Sequence, residues 1–192
     1  MRTMKFFFLT FFLSLFFSWN AFPGPSADLN KTKTWFLEAR PCWNAGRQTE
    51  QNLTLALHKM ITLKEVESAR FHITGASNYR LYLNGEFLGF GPSIAAHGYF
   101  RVDEYDLDGH LKQGENILAI EATGYNVPNY YIPNQSSFIQ AELVVNGKVR
   151  AASLTGDSPL AFSMGIPEKR VQEVSKYTFQ RPHREVYSLE PG

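Results

Sequence analysis

The segment Tyr79-Arg-Leu-Tyr-Leu-Asn84-Gly85-Glu-Phe-Leu-Gly-Phe-Gly91-Pro92 constrains the fold of this chain more than any other stretch. Tyr79, Leu81 and Leu83 alternate with Arg80 and Tyr82, so one face of an extended strand packs and the other is amphipathic. Asn84-Gly85 supplies two residues that tolerate positive φ, as a tight type I′ turn requires. Phe87, Leu88 and Phe90 begin the return strand, and Gly89, Gly91 and Pro92 end it. A hairpin of this kind is scaffold. It carries no catalytic chemistry.

The rest of the chain continues in the same style. Thr34–Ala39 is a short strand candidate, and residues 40–51, interrupted by Pro41 and Gly46, read as a loop. Leu53–Leu63 alternates as a strand with one mostly apolar face; Val66–Thr74 follows, then a turn at residues 75–78. Tyr99–Leu107 and Ile117–Thr123 are strands separated by a turn over residues 107–116. Residues 124–135 (GYNVPNYYIPNQ) form a long loop. Ser137–Val145, a second Asn146-Gly147 turn and Lys148–Leu154 make another hairpin, and the tail from Gly156 is irregular except for short strands near 171–174 and 177–179. No amphipathic helix of 10–15 residues recurs between strands, which excludes a parallel α/β sheet. Short strands about ten residues apart point to an all-β antiparallel β-sandwich, of jelly-roll type.

The N-terminus reads as an address. Arg2 and Lys5 precede an apolar run from Phe6 to Trp19, and small residues follow. That is the pattern of a signal peptide over residues 1–27, followed by a linker over 28–33 and the sandwich over 34–192. The run is shorter than the roughly 20 residues a spanning helix needs. The sequence therefore predicts a secreted or periplasmic protein with no membrane partner after cleavage. The single cysteine, Cys42, lies far from the expected cleavage region, so no lipid anchor is expected, nor any internal disulfide. Loss of Arg2 and Lys5 takes the formal charge from +1 to −1. A near-neutral domain lacks the basic footprint of nucleic-acid binding.

Asp103, Glu104, Asp106 and Asp108 invite a glycosidase reading, since that chemistry uses two facing carboxyl groups. On a strand, Glu104, Asp106 and Asp108 share one face and Asp103 points away. Calcium ligation by alternating oxygens is a second reading; capping of turns is the third and the one adopted. His58, His72, His97, His110 and His183 show no metal spacing, and His72 lies opposite Phe71 and Ile73. No serine or threonine sits in a nucleophile elbow, and Gly89-Phe-Gly91-Pro92 is no phosphate loop. No catalytic residue, metal ligand or cofactor is assigned. Trp35 and Trp43 are read as core or interface residues, and Cys42 as a small buried one. The best functional candidate is the 124–135 loop. Tyr125, Tyr130 and Tyr131 are placed to stack on sugar rings, and Asn126, Asn129 and Asn134 to bind hydroxyls, which suits a neutral carbohydrate. Packing of the same tyrosines on the sandwich, or on another domain, is the alternative.

The run from Ala69 through Asn84-Gly85, then Gly91-Pro92, Tyr105-Asp106-Leu107 and Leu111-Lys-Gln-Gly114-Glu-Asn116-Ile-Leu-Ala resembles the N-terminal β-sandwich module of bacterial α-L-rhamnosidases of the glycoside hydrolase family 78 type. Lys176–Pro182 and Glu185–Tyr187 are similar to the segment leaving that module. The likeness to the sugar-binding sandwich of β-galactosidases is looser. The resemblance implies a galactose-binding-like fold and an accessory role beside a glycosidase catalytic domain. Rhamnosidases of that type carry their catalytic carboxylates in a helical barrel downstream of the sandwich, so this chain is expected to be non-catalytic by itself.

Overall fold

A computed structural model describes residues 34–76, 78–96, 99–126 and 135–165. The chain divides between Lys33 and Thr34, and the second unit is the one described. Its strands are β1 (Leu53–Leu63), β2 (Ala69–Gly75), β3 (Asn78–Leu83), β4 (Glu86–Gly91), β5 (Asp103–Asp106), β6 (Gly114–Gly124), β7 (Ile139–Val145), β8 (Lys148–Ala152) and β9 (Ser163–Gly165). Five of them form a sheet in the order β4-β3-β6-β1-β9, and four form a second in the order β5-β2-β7-β8. The pairings between strands are antiparallel throughout. This is the antiparallel β-sandwich that the alternating pattern predicts. Only the two hairpins, β3–β4 and β7–β8, stay within one sheet; every other consecutive connection changes sheet.

The hairpins close as their sequences require. Asn84 and Gly85 have φ of 54° and 87°, and Asn146 and Gly147 have 50° and 72°. Both asparagines also work beyond their own turns. The Asn84 Oδ1 accepts the Ile117 N–H at 2.9 Å. The Asn146 Oδ1 accepts the N–H groups of Glu67 and Ser68 at 2.9 and 3.1 Å. Asn116, fully buried, closes the turn before its own strand by accepting from Lys112 N–H and donating to Lys112 O. Tyr79, Leu81 and Leu83 all face inward, as the period of two predicts. They join Leu55 and Leu57 of β1, Phe71 of β2 and Leu143 of β7 in one core cluster. Full burial of each such aliphatic side chain contributes about 1.5–3 kcal/mol.

Several boundaries differ from expectation. β6 begins at Gly114, so the Gly-Glu-Asn turn residues already lie in the strand. β5 covers only Asp103–Asp106 of the expected 99–107. β9, in a stretch read as irregular, completes the edge next to β1. The strands expected near 171–174 and 177–179 lie outside the described residues. Residues 34–39 are not a strand. Their backbone donors are taken by a side chain instead of a neighbouring strand: the Glu142 carboxylate accepts N–H groups from Leu37 (2.9 and 3.2 Å), Glu38 (2.7 Å) and Ala39 (2.9 Å). The segment is a strap over the outer face of β2 and β7. It is fastened further by Gln140 Nε2 donating to Ala39 O, and by Arg40 and Ser153 bonding each other's backbone. Trp35 and Phe36 meet the His72 ring edge-on at 5.7 and 6.4 Å. The strap ends at Cys42, which bridges to Ile139.

Candidate functional site

Gly124, Tyr125 and Asn126 are held by internal partners. Tyr125 is 8% exposed, so its ring is part of the packing. Asn126 adopts a positive φ of 46°. Its Nδ2 donates to Gln48 O at 3.1 Å, Glu50 O at 2.7 Å and Ser137 Oγ at 2.8 Å. Asn52 N–H donates to Tyr125 O at 3.1 Å, which ties the loop to the start of β1. Gly124 admits no side chain: a Cβ there would meet Ser137 and come within 2.9 Å of Trp43. Trp43 is buried in the core cluster. Tyr125 and Asn126, expected to meet a sugar, are held by these internal partners. Asn129, Tyr130, Tyr131 and Asn134 lie outside the described residues.

The carboxylates are engaged with the protein itself. Asp106 Oδ1 accepts the Asp108 N–H at 2.9 Å and the Arg70 guanidinium at 2.6 Å. Asp108 accepts the Ala69 N–H at 2.6 Å and also faces Arg70 at 2.8 Å. The Ala69 N–H and the Arg70 guanidinium hold the Asp108 carboxyl below the usual carboxylate range. Glu104 meets His72 Nε2 at 2.8 Å. Asp103 points the other way, as the strand alternation predicts, and accepts the Tyr79 hydroxyl at 2.6 Å and Arg101 Nε at 2.9 Å. These are capping and ion-pair geometries. Among the described residues no three His, Cys, Asp or Glu side chains converge on a metal-sized site. His97 and His183 lie outside the described residues.

Asp103, Tyr79 and Tyr105 join the two sheets at the β4–β5 end of the sandwich. The two hydroxyls lie 3.1 Å apart. Burial, reinforced by Asp103, pushes the Tyr79 hydroxyl far above the ordinary tyrosine value, and burial raises Tyr105 too. Both stay neutral and serve as donors at any physiological pH. The backbone of β4 passes over these rings at Gly89 and Gly91; a Cβ at Gly89 would lie 2.8 Å from the Tyr105 hydroxyl. The glycines therefore permit close backbone approach.

One surface escaped the sequence reading. The outer face of the five-stranded sheet carries Phe90, 78% exposed, and Phe87, 55% exposed. Phe90 is the register partner of Arg80, and Arg80 of Glu121; Phe87 is the partner of Tyr82, and Tyr82 of Ala119. Arg80 and Glu121 form an ion pair at 3.1 Å. Tyr82 and Phe87 pack edge to face at 5.6 Å. Ile117 and Met60 continue the apolar surface onto β6 and β1. The signal was present: once Tyr79, Leu81 and Leu83 face the core, Arg80 and Tyr82 must face out, and the return strand sets Phe87 and Phe90 beside them.

Comparison with solved structures gives the context. Over 79% of this chain, the sandwich superposes on a GH78 family rhamnosidase of Bacillus sp. GL1 with a TM-score of 0.69 at 24% identity. The chain has a rhamnosidase-type sandwich fold. It spans only 16% of the length of that rhamnosidase. An α-L-rhamnosidase from Aspergillus terreus (TM-score 0.46, 17% identity, 72% of this chain and 17% of that chain) also matches. A Pleurotus ostreatus lectin does so as well (TM-score 0.41, 16% identity, 76% of this chain and 38% of that chain). No protein-family model matches the chain, and no curated protein does. The rhamnosidase-type sandwich expected from the hairpin and the Gly-Glu-Asn turn is therefore shown as a fold.

Proposed function

We propose that this protein is an exported, non-catalytic accessory module of a rhamnosidase-like glycoside hydrolase, and that it holds a neutral carbohydrate. The observation that carries the reading is the extent of the structural match: most of this chain corresponds to a small fraction of a GH78 enzyme. The side chains support it. Asp103, Glu104, Asp106 and Asp108 are engaged by backbone N–H groups, Tyr79, Arg70, Arg101 and His72, so these four do not form a facing pair poised to protonate and attack a glycosidic bond. Residues 1–27 support export, with a secreted or periplasmic destination. Within a whole enzyme the module packs beside the catalytic domain and shapes the approach of substrate. A module of this size holds a monosaccharide weakly, at around millimolar, since few contacts must offset the ordering of the ligand.

The test is an assay of the purified chain with an aryl α-L-rhamnoside, alongside calorimetric titration with L-rhamnose and D-galactose. Weak sugar binding without turnover is the expected result. Turnover that Asp106→Asn abolishes would overturn the non-catalytic reading. Mass spectrometry of the exported product is expected to show no peptide from residues 1–27.

A further inference from the structure

We infer that the exposed face of β4, β3 and β6 is a carbohydrate-binding platform, on which a pyranose ring lies against Phe90 and Phe87 while its hydroxyls meet Arg80 and Glu121. The inference rests on the reading of this protein as a carbohydrate-holding module and names a site for it distinct from the 124–135 loop.

The placement follows from the register. Phe90, Arg80 and Glu121 stand in one row across three antiparallel strands. Two inter-strand spacings make that row about 10 Å long, enough to underlie a sugar ring and its substituents. Phe87 and Tyr82 stand in the next row. Their edge-to-face contact fixes the Phe87 ring, so little side-chain entropy remains to be lost on binding. Phe90 offers an aromatic face that carries no polar atom and is mostly open to water.

The chemistry favours a polyhydroxylated ring over an apolar protein surface. The Arg80–Glu121 pair lies within the patch, with side chains 45% and 28% exposed. Covering that pair with an apolar partner would strip its water, a cost that ion-pair attraction alone rarely offsets. A pyranose presents two different sides. Its C–H face suits the rings, and its vicinal hydroxyls both accept from a guanidinium and donate to a carboxylate. The pair brings opposite charges together, which suits a ligand with no net charge. The rings and the ion pair are thus complementary to one neutral ligand.

The experiment is an amide-resolved NMR titration of the full chain with L-rhamnose and with D-galactose. It is repeated on Phe90→Ala, on Arg80→Gln and on Tyr130→Ala. Shifts centred on residues 80–90 and 117–121, weakened at least tenfold in Phe90→Ala and several-fold in Arg80→Gln, are expected. Tyr130→Ala should leave them intact. Because Phe90 is on the surface, an unchanged spectrum away from the patch shows that the variant still folds. Shifts confined to the 124–135 loop, lost in Tyr130→Ala and unaffected by Phe90→Ala, would overturn the platform while leaving a carbohydrate-holding module in place. No shifts with either sugar, together with self-association that Phe90→Ala relieves, would overturn both and mark the face as a protein interface.

Discussion

The two outer faces of the sandwich are finished in opposite ways. Over the four-stranded sheet, the strap of residues 34–40 covers His72 and Glu142, and a fully buried carboxylate fastens it through backbone N–H groups. Over the five-stranded sheet, Phe87, Phe90, Met60 and Ile117 remain exposed beside the Arg80–Glu121 ion pair. Under the strap the Glu142 carboxylate and the Ala39 backbone lie inside, and the hold of the strap depends on them. The open face has its apolar groups outside and contributes little to folding. The proposed carbohydrate platform assigns binding to the open face and the hold of the strap to the covered one.

The comparison breaks most visibly at Glu142. Glu142→Ala removes the acceptor for three strap donors, and unanswered buried donors are costly. A loss of about 3 kcal/mol is expected in denaturant titration, with amide protection lost at residues 37–39. Intact protection there would show that the strap is held by its rings instead.

The covered side should also respond to alkali. Burial pushes the Cys42 thiol, at the end of the strap, from 9.0 up to about 11. The folded state keeps this proton more tightly than the unfolded state. Its contribution is therefore fully present below pH 9 and is lost as pH rises through about 11, to the extent of about 2–3 kcal/mol. Tyr79 and Tyr105, also raised by burial, act in the same direction at higher pH. Denaturation at pH 8 and pH 11 should show a smaller alkaline loss in Cys42→Ala than in the natural chain. Equal losses would shift the whole effect to the tyrosines.

At the turn that leads into the open face, Gly85 has a φ of 87° and nothing near its missing Cβ. Gly85→Val meets no clash there, only backbone strain, and a loss of about 1 kcal/mol or more is expected from the melting curve. The smallest effect belongs to the open face itself. Phe90→Ala should change stability by less than about 0.5 kcal/mol. A larger loss by calorimetry would mean that Phe90 packs as scaffold, and the contrast between the faces would fail.

Local chemistry was legible directly in the residues. Asn-Gly dipeptides closed both hairpins because only such pairs accept two positive φ angles cheaply. The alternation of Tyr79, Leu81 and Leu83 gave the buried face, and that of Asp103 and Glu104 gave opposite directions, because successive strand side chains must point to opposite sides. The turn-capping role of Asp106 was readable locally, whereas the Asp108 carboxylate serves the distant Ala69 N–H. Long-range partners were not legible. Nothing in Thr34–Ala39 announces that a carboxylate 103–105 residues away takes its backbone donors and turns an apparent strand into a strap. Nothing in Gly124–Asn126 shows that Gln48, Glu50 and Ser137 receive the Asn126 amide. Sequence alone determined the two hairpin turns and the inward faces of their strands, since these depend on neighbours along the chain. Which outer face is covered, and which aromatic side chains are left exposed, was decided by tertiary structure, since burial depends on what the rest of the chain brings across.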